Sequence, residues 1–119
     1  MSRTFAAIVI VILLLPGLSS TTETNITGTW NAVVELDLGS GEPVFVFTQE
    51  GETLTGTYEG TFGSAELRGM VSGDQIEFTF GAEGVGSATY TGTIMGQSME
   101  GTCDYGPIGG GIWTARKSE

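Results

Sequence analysis

A short phrase that recurs along the chain constrains its fold more than any other feature. Each copy begins with glycine, continues with polar residues and then alternates apolar with polar positions. The copies are Gly51–Tyr58, Gly73–Thr79 and Gly96–Thr102. A residue that tolerates positive φ, followed by strict alternation, is typical of a tight hairpin turn that leads into a half-buried strand. The phrase therefore predicts antiparallel hairpins laid side by side.

The same alternation predicts eight short strands, spaced about eleven residues apart, with no helix between them. The predicted strands cover residues 26–38, 44–49, 54–62, 65–71, 76–80, 88–94, 99–105 and 112–117. Residues 39–43 are expected to form a turn. In the second strand the run Val44–Phe47 is apolar on both faces, so the pattern leaves its phase open.

An ordered meander of eight strands closes most simply into an antiparallel up-and-down β-barrel, which removes every edge strand. Glycines fall on the inward row at Gly28, Gly56, Gly92 and Gly101, where a small barrel needs its strands to coil sharply. The alternative is an open β-sandwich. An outer-membrane barrel is disfavoured, because its outer row would be apolar and here that row is rich in Thr and Glu.

The N-terminus has the pattern of a secretory signal peptide. Arg3 precedes the apolar run Phe5–Leu15, and Pro16 and small residues follow. The run is too short for a membrane-spanning helix. We predict a signal peptide over residues 1–20, a polar lead-in over 21–25 and the barrel domain over 26–117. The protein is then secreted or periplasmic; the alternative is a membrane tether through an uncleaved N-terminal segment.

Charge and composition exclude several classes of function. Four basic residues against 14 acidic ones give a formal net charge of −10, which disfavours nucleic acid and anionic membranes as partners. The chain has no His, which removes most zinc sites and Ser-His or Cys-His catalysis. The single cysteine, Cys103, lies on the inward row and is expected to be a small core residue. We expect no cofactor and no metal.

Two short motifs carry a resemblance to a known family. Gly28-Thr29-Trp30 opens the first strand and Arg116 closes the last. This resembles the calycin arrangement of lipocalins and avidins, in which a first-strand Trp packs beneath a basic residue from the end of the barrel. The resemblance implies that Trp30 and Arg116 form such a barrel-closing pair. The hairpin phrase also resembles small exported bacterial β-barrels of unassigned role, a likeness that implies a fold and no activity.

The opening strands look like those of a streptavidin-type barrel, but the residues that would hold biotin are not present as a set. Only Trp30 and Trp113 are available for a box of tryptophans, and Gly60 stands where a hydroxyl side chain is expected. The sequence therefore predicts no biotin site.

The connections at one end of the predicted barrel are longer and richer in glycine, which places an open mouth there. Inward residues near that end are candidate ligand-binding residues: Leu36, Tyr58, Phe62, Phe80, Tyr90 and Tyr105. We predict a non-enzymatic barrel that binds a small apolar or aromatic ligand in its mouth. A core filled by these side chains is the alternative. A carboxylate-dependent hydrolase or isomerase is a further one, with Glu42, Glu83 and Asp104 as the loop acids near the mouth.

Strand two suggests a second mode of action. Whichever phase it takes, either Phe45 and Phe47 or Val44 and Val46 face outward beside Val33. An exposed apolar patch of this kind is typical of a contact with a protein partner or a second copy of the chain. The alternative function is therefore a structural or protein-interaction module that works through this patch.

Overall fold

The computed structural model describes residues 25–118, and within them the alternating pattern forms strands joined by tight turns. The strands are β1 (Gly28–Leu36), β2 (Gly39–Gly41), β3 (Val44–Glu50), β4 (Thr53–Gly60), β5 (Gly63–Ser72), β6 (Gln75–Ala82), β7 (Gly86–Met95), β8 (Ser98–Asp104) and β9 (Gly110–Lys117). A 3-10 turn, Gly106–Ile108, precedes β9. Turn glycines with positive φ, such as Gly51, Gly73 and Gly96, begin the recurrent phrase as predicted. The predicted signal peptide lies outside the described residues.

Each strand pairs antiparallel with its neighbours, and the last strand returns to the first. β1 pairs with β9 over seven residue pairs, from Trp30 opposite Lys117 to Leu36 opposite Gly111. The chain is therefore a closed eight-stranded antiparallel barrel, as the strand spacing predicts, and not an open sandwich. No helix within residues 25–118 has the length and apolar character needed to cross a membrane.

β2 and β3 form one barrel strand with a local interruption. Leu36 pairs with Gly39 and Asn31 pairs with Val44, and the register between these pairs is continuous. Pro43 sits at the interruption; its carbonyl accepts a hydrogen bond from Ala32 N at 3.0 Å. The predicted turn over residues 39–43 is therefore wrong, because the chain reverses at the two residues before Gly39. Glycine and proline suit a turn and an interrupted strand equally well, so composition alone does not separate the two.

Inward hydrophobic residues of every strand except β2 are buried and form one core. In β3 the structure fixes the phase that the sequence leaves open: Phe45 and Phe47 are fully buried, and Val46 is exposed. Phe45 lies at the centre of the core, where its ring is within 6.2 Å, centroid to centroid, of five other aromatic rings. These rings belong to Phe47, Tyr58, Phe78, Phe80 and Tyr90.

Inward glycines let aromatic side chains lie across the backbone of neighbouring strands. Trp113 on β9 lies against Gly92 and Gly101, and a Cβ at Gly92 would be only 2.8 Å from its Cζ2 atom. The indole Nε1 donates to the carbonyl oxygens of Thr91 and Thr102, at 3.1 and 3.0 Å. The glycines thus give the indole both its space and its hydrogen-bond acceptors.

The end of the barrel opposite the long connections is closed. Gln49 is buried there; its Oε1 accepts from Ile26 N and its Nε2 donates to Gly51 O, both at 2.9 Å. Trp30 Nε1 donates to the Ile26 carbonyl oxygen at 2.9 Å. The segment before β1 is therefore held across this end by satisfied polar groups.

The expected pair of Trp30 with Arg116 is not formed. Arg116 is exposed on the outer face, whereas Trp30 is buried on the inner face. Successive strand residues point to opposite faces, so the inward basic residue is the next one, Lys117. Its side chain lies over Gly28, where a Cβ would be 2.8 Å from Lys117 Cε.

Candidate functional site

The other end of the barrel, the mouth, contains an open pocket of about 270 Å³. Its lining comes from β1, β2, the turn after β4 and the segment that carries the 3-10 turn. The lining residues are Val34, Leu36, Leu38, Gly39, Ser40, Gly41, Pro43, Tyr58, Thr61, Phe62, Tyr105 and Ile108. This lining is mainly apolar and includes no carboxylate, which suits an apolar ligand better than an ion.

The pocket exists because one wall lacks side chains. On the inward row of the interrupted strand, the positions nearest the mouth are Gly39, Gly41 and Pro43, and the next one is Phe45. At Gly41 the nearest atom to an added Cβ would be Thr61 Oγ1, at 3.2 Å. The core is therefore filled up to Phe45, and the space above it stays open.

Leu38 stands at the lip of the pocket. It occupies the two-residue turn between β1 and β2, and 74% of its surface is exposed. Alternation predicts it on the inward row, but β1 ends at Leu36 and the turn directs Leu38 to the rim. A leucine exposed beside an apolar pocket adds to the apolar surface that a ligand could cover.

Tyrosine hydroxyl groups, together with Ser40 and Thr61, supply polar groups in the lining of the pocket. Tyr58 and Tyr105 line it, although each side chain is almost fully buried. The Tyr58 hydroxyl oxygen accepts a hydrogen bond from Phe62 N at 3.1 Å. The Tyr105 hydroxyl lies 2.6 Å from that of Tyr90, deeper in the core. Burial raises the pKa of Tyr90 and of Tyr105 above the ordinary tyrosine range, so both stay protonated.

The structure brings together four of the six candidate ligand-binding residues. Leu36, Tyr58, Phe62 and Tyr105 line the pocket. Phe80 and Tyr90 do not; they lie in the core beneath it, and Phe80 stacks on Tyr58 at 4.0 Å between ring centroids. The filled core and the open mouth, two alternatives in the sequence, thus coexist at different depths.

Sequence reasoning missed the wall of the pocket that residues 39–43 form, because the glycines and proline in this segment predict a turn. The signal that could have found it is the continued alternation of Gly39, Gly41 and Pro43 with Phe45, which places all four on one face.

The apolar patch predicted around strand two is present in part. Val33, Val44 and Val46 face outward, and Ile112 on β9 extends them into a diagonal stripe across β9, β1 and β3. We call these four residues the outer stripe. Phe45 and Phe47 do not belong to it, because both are buried in the core.

The loop acids do not form a cluster. Within residues 25–118, no three His, Cys, Asp or Glu side chains are close enough together to hold a metal ion. Asp104 already has a structural role, since its Oδ1 accepts from Gly106 N at 2.8 Å and fixes the 3-10 turn.

The fold and the mouth together define a small, closed, eight-stranded antiparallel β-barrel with one open end. Comparisons with known protein families, with curated proteins and with solved structures find no match for this chain.

Proposed function

We propose that the protein is an exported, non-enzymatic binding barrel that holds a small apolar or aromatic ligand in its mouth. The observation that carries the proposal is the apolar pocket above a solid core, with an exposed leucine at its rim. A packed interior without such a function would be expected to fill the space that Gly39 and Gly41 leave open.

The size of the pocket bounds the ligand. A cavity of ~150 Å³ lined by aliphatic and aromatic side chains holds benzene. The volume of about 270 Å³ therefore has room for roughly two aromatic rings or a short branched chain. Export and a calycin-type relationship, suggested by the N-terminal pattern and by Gly28-Thr29-Trp30, belong to the same proposal.

The proposal is tested by filling the pocket from its bare wall. Gly41→Leu adds an isobutyl group to a residue that lines the pocket, and Thr61 Oγ1, at 3.2 Å, is the only atom within 4 Å of the added Cβ. We expect the neutral dye N-phenyl-1-naphthylamine to gain fluorescence with the wild-type protein and to lose most of that gain with Gly41→Leu.

Gly81→Leu is the matched control, because Gly81 lies on the outer face near the mouth and a Cβ there meets no atom closer than 4.0 Å. This variant should bind the dye like wild type. No gain of fluorescence with the wild-type protein, or equal gains with both variants, would contradict the proposal.

The outer stripe supports a second candidate function, a module that contacts a second copy of the chain. Val33, Val46 and Ile112 are each more than 40% exposed on a face that otherwise carries Thr and Glu.

A further inference from the structure

The three tyrosines of the chain form a polar cluster that reaches from the core to the pocket. Tyr90 is fully buried, and its hydroxyl is 2.6 Å from that of Tyr105. Tyr105 and Tyr58 both line the pocket, and nearby Tyr58 adds to the rise in the pKa of Tyr105 that burial causes.

The surroundings of Tyr90 leave its hydroxyl a single partner. Within residues 25–118 that hydroxyl has no hydrogen-bond partner except Tyr105. The rings of Phe45 and Phe78 pack against Tyr90, at 5.3 and 5.0 Å between centroids. A buried hydroxyl without a partner is costly, so the Tyr90 and Tyr105 hydroxyls satisfy each other within the core.

Tyr58 lines the pocket with a hydroxyl group whose donor side is unused. Its oxygen accepts from Phe62 N at 3.1 Å, and its own hydrogen has no acceptor among the described residues. The hydroxyl lies over Gly60, where a Cβ would be only 2.7 Å away, so the absence of a side chain there leaves room for it. An oxygen that accepts hydrogen bonds is itself a stronger donor.

The charges around the mouth select against an anion. Asp37, Glu42 and Glu83 are exposed near the mouth, and Asp104 begins its longest loop. The described basic residues lie elsewhere: Arg68 is on the outer face of β5, and Arg116 and Lys117 are at the closed end. A carboxylate ligand would therefore enter against repulsion without a cation to pair with it.

We propose, on the basis of the function proposed above, that the ligand is a neutral apolar molecule with a carbonyl oxygen, and that the Tyr58 hydroxyl donates a hydrogen bond to this oxygen. The apolar body lies against Leu36, Phe62 and Ile108, and the carbonyl faces the Tyr58 hydroxyl. A ligand without an acceptor leaves the Tyr58 hydroxyl unsatisfied and binds less well.

The test compares three probes of similar size by isothermal titration. 2-Acetylnaphthalene carries the neutral carbonyl, 2-isopropenylnaphthalene replaces its oxygen with CH2, and 2-naphthoate carries an anion. We expect the wild-type protein to bind the ketone about fivefold to tenfold more tightly than the alkene, and the naphthoate most weakly.

Tyr58→Phe should abolish the preference for the ketone while it still binds the alkene. Tyr90→Phe is the matched control, because it removes the same single oxygen from a residue that does not line the pocket, and it should keep the preference. Far-ultraviolet circular dichroism confirms that both variants are folded.

The outcomes separate this inference from the function on which it rests. If no probe binds, the binding function fails. If ketone and alkene bind wild type equally, if the naphthoate binds best, or if Tyr58→Phe keeps the preference, the carbonyl assignment is overturned and the apolar pocket remains.

Discussion

Ionisable side chains inside the barrel determine how the protein responds to alkaline pH. Burial raises the pKa of the Cys103 thiol to about 11, and nearby Asp104 adds to the rise. Tyr90 and Tyr105 are shifted in the same direction, also mainly by burial. An unfolded cysteine has a pKa of about 8.5, so the unfolded chain loses its thiol proton first as pH rises.

The stability of the folded protein should therefore fall at alkaline pH. A raised pKa contributes stability that is complete below the unfolded value and is lost as pH rises through the folded one. We expect the thermal midpoint to stay constant from pH 7 to about 8.5 and to fall from there to pH 11. Cys103→Ala should delay the onset of this fall, whereas a midpoint unchanged up to pH 11 would contradict the assignment.

Single residues also show where sequence reasoning ends. Residues of β9 alternate between the inner and outer faces, and the alternation places Lys117, not Arg116, on the inner face. The resemblance rests on Gly28-Thr29-Trp30 and on one basic residue near the C-terminal end, which is too little to determine that alternation. Tyr58 and Tyr105 could be placed at the mouth because both lie on the inward row near the end of the barrel where most of the longer, glycine-rich connections are expected. The hydrogen bond between Tyr90 and Tyr105 could not be predicted, because it depends on how far each side chain extends into the core.

At the scale of strands, the prediction is close to the structure. Every predicted barrel strand agrees with an observed one to within two residues at each end, except that the second strand begins earlier as β2. Alternation of polarity succeeds here because one face is buried and a shift by one residue would expose the core. It fails at residues 39–43, where glycine and proline carry no signal about which face is buried.

The packing of β7, β8 and β9 around Trp113 depends on the inward glycines. A Cβ at Gly92 would be 2.5 Å from Glu100 O and 2.8 Å from the indole. We expect Gly92→Ala to lower the free energy of unfolding by about 1–3 kcal/mol, as overpacking of a rigid site does. Urea denaturation, followed by tryptophan fluorescence, measures the change.

Gly81→Ala is the control for this substitution. Gly81 lies on the outer face of β6, where an added Cβ has open space, so its free energy of unfolding should change by less than about 1 kcal/mol. Equal losses in the two variants would mean that the backbone preference of glycine, and not contact with the indole, sets the cost.

At the scale of the whole molecule, every strand of the described residues except the short β2 is paired on both sides, so association would rest mainly on side chains. The outer stripe is the candidate surface, because it crosses three neighbouring strands. If it joins two copies, sedimentation velocity at high concentration will show a dimer that the double substitution Val33→Thr and Val46→Thr removes. Threonine keeps the shape and strand preference of valine and takes away its apolar character.

Met70→Thr is the matched control for the stripe. Met70 is 56% exposed on β5, outside the three strands of the stripe. The Met70→Thr substitution should leave the sedimentation profile unchanged. A wild-type protein that remains monomeric throughout the concentration series would remove the second candidate function.

Both ends of the described chain lie at the closed end of the barrel, where Gln49 is buried. Ser118 N donates to Thr29 O at 2.8 Å, and Ile26 is held against Gln49. A support or fusion partner attached directly at residue 25 or residue 118 would therefore lie at the end of the barrel opposite the pocket. Protein immobilised in this way should therefore exchange its ligand with the bulk solution as freely as protein in solution does.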